Sequence, residues 1–401
     1  MRLIFIKEVL IMKRTTGTYV ESSTLGEVVK AFVPHSLPPQ KPTLALDVYQ
    51  DLNHKAEMAL ARLSGVSGLV PSVDWLLYSA IRKEALLTSQ IEGTQATIID
   101  LFDDEAGLVV SNMVDVEEVT NYIAAYRLVR DNLRDPNGLP ISVRLLCKAH
   151  KLLLNGVRGT GKQPGALRRS QNWLGGTRPG NAVFVPPPAD KVPALMSDLE
   201  KFIHDQPRKV QKVTAKDLPP LVGIALAHAQ FETIHPFLDG NGRIGRLLIS
   251  ALLEDLGLLP EPLMYLSGYL KQHQTEYYRL LSAIRKEGDW ESWVKFFLEG
   301  VQVAANQAEE NILKIASLVA SDRRKLLESP KASSPAYRLL EMLPMMPRFT
   351  VERVKTALGT TFPTANAAVK ALEELGLITE TTGNKKNRSF SYDRYIKLLS
   401  A

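Results

Sequence analysis

Residues 231–248 read FETIHPFLDGNGRIGRLL, and the dozen positions from His235 to Arg246 hold a histidine, a proline, an aspartate, an asparagine between two glycines, and two arginines. The preceding DLPPLVGIALAHAQFETI has apolar residues at helical spacing, and Pro236 lacks the N–H a helix interior needs, so a helix ends near His235. RIGRLLISALLEDLG restarts as a second apolar helix. Between them, Gly240 and Gly242 permit backbone angles that side chains resist. A turn entering a helix N-terminus aims several N–H groups at one point, which makes an anion site. Arg243 and Arg246, in the first turn, add forked cationic donors, and the set describes a cradle for a polyphosphate. Asp239 would repel bare phosphate but suits Mg²⁺, which takes one or two carboxylates beside phosphate oxygens. His235 stands where a neutral imidazole can accept a proton near pH 7. The combination suits attack of a hydroxyl on a nucleotide phosphate. It is not a P-loop, because no GxxxxGK(S/T) is present.

The rest of the chain bounds this reading. Its 401 residues suffice for two or three domains with buried cores. A charged fraction of 23% against 45% hydrophobic describes an ordinary soluble globular protein. The single cysteine, Cys147, excludes an internal disulfide and a multi-cysteine metal site, which suits a reducing compartment, the cytoplasm. MRLIFIKEVLIM is apolar but broken by Lys7 and Glu8, too short for a signal peptide or a membrane span. MKRTTGTYV, from Met12, could be the true start. The net charge is +6, and residues 331–401 carry eleven Lys/Arg against six Asp/Glu. That excess points to an anionic partner there, or only to solubility.

Residues 31–44, AFVPHSLPPQKPTL, read as proline-rich connecting chain, and beyond them strands have little support. SVDWLLYSAIRKEALLTSQIEG predicts an amphipathic helix capped by Ser72 and stopped at Gly93. VEEVTNYIAAYRLVRDNL and ISVRLLCKAHKLLLNGV predict two more. Between Pro164 and Pro188, glycines and a Pro179-Gly180 turn separate QNWL from AVFV, a hairpin signal. Helices resume at Ala189 and Lys216. At the end, TVERVKTAL and TANAAVKALEELG predict short helices, followed by two strands around GNKKN. This order is the sequence form of a winged helix.

The segment from His235 to Arg246 resembles the signature of the Fic (Fic/Doc, Fido) family, HPFx(D/E)GNGRxxR, without a departure. FVPHSLPP, the helix ending TSQIEGT, the hairpin and LMYLSGYLKQHQTEYYRLL are similar to parts of the larger bacterial members, in which an appended winged helix is common. The resemblance implies a mainly α fold: a Fic helical core with a small β-hairpin flap, an N-terminal helical region and a C-terminal winged-helix domain. It implies boundaries at 1–110 (N-terminal region with the inhibitory helix, Thr88 to Gly93), 111–328 (catalytic domain) and 329–401 (winged helix).

The implied activity is AMP transfer from ATP to a Ser, Thr or Tyr hydroxyl of a target protein, and of the protein itself. His235 would be the base and Asp239 would hold Mg²⁺. Gly240, Asn241 and Gly242 would contact phosphate through backbone and amide groups. Arg243 would neutralise the leaving diphosphate, and Gly245 would let the helix approach the nucleotide. Phe237 would anchor the loop in the core, while His228 would be structural. TSQIEG matches the family's inhibitory motif (S/T)xxxE(G/N) at Thr88, Glu92 and Gly93. By that resemblance Glu92 pairs with Arg246 where the γ-phosphate belongs. His273 falls where members often place an Asn or His near the nucleotide, or is an ordinary surface histidine. The hairpin, residues 172–188, would hold a target segment by strand addition. Residues 349–395 could contact DNA or dock a protein, and a homodimer is a further implication; no membrane contact is expected. Two other readings stay open: removal of AMP or transfer of another phosphodiester group, and a DNA-binding regulator whose core senses nucleotide.

Overall fold

The computed structural model describes residues 14–69, 72–206 and 218–400. The expectations about the first twelve residues and the helix start at Lys216 fall outside them. The described residues are mainly helical, with two small antiparallel sheets among them.

It opens with a hairpin that the sequence reading missed. Strand β1 (Gly17–Thr24) pairs with β2 (Glu27–Pro34) in register from Gly17–Pro34 to Thr24–Glu27. Residues 31–34 therefore belong to β2 rather than to connecting chain. Val29, Ala31 and Phe32 are buried, and this short apolar face supplies the missing support for pairing.

Helices follow: α1 (Gln50–Val66), α2 (Val73–Ile91), α3 (Ile98–Glu105), α4 (Met113–Arg134), α5 (Val143–Leu153), α6 (Val192–His204), α7 (Pro220–Ile234), α8 (Asn241–Asp255), α9 (Leu266–Gln272), α10 (Gln274–Glu287) and α11 (Trp290–Leu327). Their starts are coded locally. Ser72 Oγ accepts from Asp74 N at 3.2 Å to cap α2, and Asn112 and Ser142 do the same for α4 and α5. Pro220 sits at the first position of α7, where its missing N–H costs nothing. Every residue of α7 is buried, so this helix is the axis of the bundle. At 38 residues α11 is about 57 Å long and packs against both α7 and α1.

The expected hairpin at 172–188 narrows to one bridge, Leu174–Phe184, around a turn at Pro179–Asn181. Gly176 has φ +73°, and a Cβ there would run into the backbone of Asn181. Asn181 Oδ1 also accepts from Thr177 N and Arg178 N, both at 3.0 Å. The loop thus coils onto itself and stops the ladder after one pair. Phe32 N of β2 donates to Val185 O at 2.9 Å and lays the hairpin against this flap.

The C-terminal part contains α12 (Ser334–Met342), β3 (Arg348–Thr350), α13 (Val351–Leu358), α14 (Phe362–Glu374), β4 (Thr379–Glu380), β5 (Ser389–Ser391) and α15 (Asp393–Ser400), with strand order β3-β5-β4. Strand β3 was not foreseen. This part does not stand apart: Arg348 meets Asp103 of α3 at 2.6 Å, Arg394 meets Asp322 of α11 at 2.5 Å, and the apolar core is continuous across them.

Candidate active site

The loop between α7 and α8 is built by local rules and then pinned from a distance. Helix α7 ends with His235 in the left-handed region, φ 51°. Such a conformation is uncommon for a side-chain-bearing residue and marks strain held by its surroundings. Gly240, φ +77°, turns the chain into α8. Asn241 closes the loop: its Oδ1 accepts from Phe237 N and its Nδ2 donates to Phe237 O, both at 2.8 Å. The amide is thus turned onto the backbone of Phe237, with Oδ1 and one of its two Nδ2–H groups engaged there. Phe237 is fully buried, as expected, with its ring stacked on His150 at 3.9 Å. His150 Nδ1 accepts from Gly165 N at 2.9 Å, so its Nε2–H is the donor to Asp239 O at 3.0 Å.

Asp239 turns its carboxylate outward, 42% exposed, with Oδ1 accepting from Gly240 N at 2.6 Å and lying 3.8 Å from Arg243 Nη2. Arg243 is buried, 3.4 Å from Glu118 on α4, and its Nε has no hydrogen-bond partner. Glu118 is itself paired with Arg158.

Arg246 is 2% exposed, and its donors are directed at α2. Nε donates to Thr88 Oγ1 at 2.6 Å, and Nη2 donates to Thr88 O at 3.1 Å and to Glu92 Oε1 at 2.5 Å. Gly93, φ +97°, ends the helix just beyond. Burial works against the Arg246 charge, yet Glu92 raises its pKa above the ordinary value. Burial likewise pushes the Glu92 carboxyl up, and Arg246 outweighs it, so the net shift is downward. A Cβ on Gly242 would collide with Glu92 Oε1, so the carboxylate lies directly on the first turn of α8. That is where the helix N-terminus would receive an anion.

His235 is half-buried. Burial first, then the Arg168 guanidinium, lower its pKa to about 4, and Nδ1 has no hydrogen-bond partner. The ring is therefore neutral at pH 7. His273 is exposed at the corner between α9 and α10, its ring 4.4 Å from that of Tyr269. The next residue, Gln274, donates from Nε2 to Ile91 O at 3.1 Å and brings the corner to the end of α2.

A Cβ on Gly245 would clash with Glu232 Oε1 and sit 3.2 Å from His228 and Phe231, so this glycine lets α8 approach α7. His228 is structural as expected: its Nδ1 lies 3.0 Å from Gly245 O and its Nε2 2.8 Å from Tyr277 Oη. Gly245→Ala should cost about 1–3 kcal/mol by overpacking, read as a fall in melting temperature; an unchanged melt would mean the helices can part freely.

Glu232, buried behind the loop with Oε1 unpartnered, was missed in the sequence. Burial raises its pKa to about 7. A raised carboxyl stabilises fully below its unfolded value, and that contribution is lost as pH rises through 7. Glu232→Gln should therefore melt above wild type at pH 8 and converge with it near pH 5. The opposite trend would refute this environment.

Mg²⁺ fits the donors available: one outward carboxylate, Asp239, is what a site completed by phosphate oxygens requires. Among the described residues no cluster of three His, Cys, Asp or Glu could hold a metal unaided. No described helix is long and apolar enough to cross a membrane.

Comparison with known proteins agrees with this architecture. Residues 50–130 match the Fic/DOC family N-terminal model and residues 140–253 the Fic/DOC family model. Protein adenylyltransferase Fic of Drosophila willistoni is 30% identical over 161 residues, which are 40% of this chain and 28% of that protein. The protein of the same name from Aedes aegypti is 30% identical over 182 residues, 45% of this chain and 32% of its own length. The chain thus spans about a third or less of the curated relatives it matches. A Fic family protein from Desulfovibrio desulfuricans G20 superposes with TM-score 0.55 at 23% identity, over 87% of this chain and 97% of that one, which is a likeness of fold. The two matched regions hold between them the carboxylate of Glu92 and the loop it covers, and over these regions the chain matches the Fic/DOC family.

Proposed function

We propose that the protein transfers AMP from ATP to a hydroxyl of a target protein, and that Glu92 restrains it. The observation that carries this reading is the Arg246–Glu92 pair seated on the first turn of α8, on the same loop-and-helix segment that holds the neutral imidazole of His235. A carboxylate bound to an arginine at a helix N-terminus occupies the place a terminal phosphate would take, since both satisfy the same donors.

In the transfer, His235 accepts the proton of a Ser, Thr or Tyr hydroxyl as its oxygen bonds to the α-phosphorus. The bond from that phosphorus to the bridging oxygen breaks, and pyrophosphate leaves. The first-turn N–H groups of α8 and the Arg243 and Arg246 guanidinia orient the polyphosphate and balance its charge. Asp239 would hold Mg²⁺, which would supply further charge neutralisation on the phosphates. His273 would approach the nucleotide from the α9–α10 corner, and the flap at 172–188 would present the target. Residues 329–401 would form a winged helix serving as a docking unit for protein or DNA; self-association, self-modification and a cytoplasmic location complete the reading.

The test separates donors by label position. ATP labelled at the α-phosphate should mark the protein, and ATP labelled at the γ-phosphate should not. Marking from the γ-label would replace this reading with phosphoryl transfer. Preferential use of UTP or CDP-choline would change the donor, and loss of AMP from a pre-labelled protein would point to removal.

A further inference from the structure

Arg168 stands in none of the motifs that announced the site. It is 2% exposed, and among the described residues no carboxylate lies within ion-pair distance of it. Its donors go to carbonyls instead: Nε to His235 O at 2.9 Å, Nη1 to Ser170 O at 3.2 Å, and Nη2 to Pro187 O at 2.6 Å and Ile234 O at 3.4 Å. Its own N donates to Pro236 O at 2.9 Å. Burying a guanidinium without a counter-charge is costly. The acceptors explain how the fold tolerates it, since the carbonyls ending α7 carry the negative pole of that helix.

The acceptors also have a pattern. Ile234 and His235 carry the base, while Ser170 just precedes the flap and Pro187 lies at its far end. One planar fork therefore joins the backbone of the base to both ends of the flap. We propose that Arg168 is a positioning residue for the transfer, holding His235 in its left-handed conformation and fixing it relative to whatever peptide the flap presents. This rests on the reading of His235 as the base. The charge acts in the same direction as the geometry: after burial, Arg168 is the largest influence keeping the ring neutral. Arg285 adds to it, while the backbone of Glu232 and the Glu92 carboxylate oppose it.

The experiment uses the full chain in a Glu92→Gly background, with Arg168→Gln and Arg168→Lys compared to the parent. The His235 ring is titrated by NMR without nucleotide, its signal assigned by its loss in His235→Asn. Transfer to a hydroxyl-bearing protein is followed in parallel with labelled ATP. Arg168→Gln should move the His235 titration up by about one unit and lower kcat at least about tenfold, with KM for ATP unchanged. Arg168→Lys should leave the titration near its parent position yet still lose kcat, because an ammonium cannot reach four carbonyls at once. A folded Arg168→Gln with unaltered titration and kcat would overturn the proposal, as would full kcat in Arg168→Lys if the glutamine variant does not fold. If no variant, parent included, transfers AMP, the activity reading fails, while the ring titration still decides what Arg168 does.

Discussion

Glu92→Gly should label itself from α-labelled ATP roughly ten- to a hundredfold faster than wild type. A charge-assisted hydrogen bond to Arg246 is worth about 1.5–3 kcal/mol, and removing it frees that much binding for a phosphate on the same donors. The same substitution carries a cost. Arg246 is 2% exposed and would keep only the Thr88 acceptors. Stripping one partner from a fully buried pair costs about 3–5 kcal/mol, and the figure here falls toward about 2 because the Glu92 side chain is 36% exposed and partly hydrated. The variant should therefore melt several degrees lower without ligand and be raised more by ATP than wild type is. Equal melting and equal labelling would remove the inhibitory assignment.

His235→Ala, in the same background, should lose about 10²- to 10⁴-fold in transfer with nucleotide binding retained. The pH dependence gives a sharper check. The ring's pKa is lowered from an ordinary value of 6.5 to about 4, so the neutral form persists as pH falls through 6.5. Transfer should stay flat between pH 7 and 5; a fall centred near 6.5 would place the base in water, not beside Arg168. Stability has its own sign. His150 and His228 are also held neutral by burial, to about 4 and about 3. Groups with depressed pKa values give their full contribution above 6.5 and lose it as pH drops toward 4, because the unfolded chain takes up protons the folded one refuses. Wild type should thus grow markedly easier to unfold across that window, and the activity measurement needs a folding control there.

Residues 231–248 by themselves determined two helices, the break at Pro236, the glycine turn and the imidazole at its edge. These are properties of neighbours in the chain: a missing N–H, a permitted φ, an apolar face at helical spacing. TSQIEG was legible for the same reason, being a helix end. What only the tertiary structure decided is which groups meet across long separations. Arg168 reaches His235 over 67 residues and Arg243 reaches Glu118 over 125, with no periodicity linking them. Tertiary packing also set Gly245 against α7 and turned the Asn241 amide onto Phe237. It gave the first hairpin the buried face that its few apolar residues did not announce. Local sequence limits what each backbone segment can be, while the pairing of distant charges and the close approach of helices follow from packing the whole core at once.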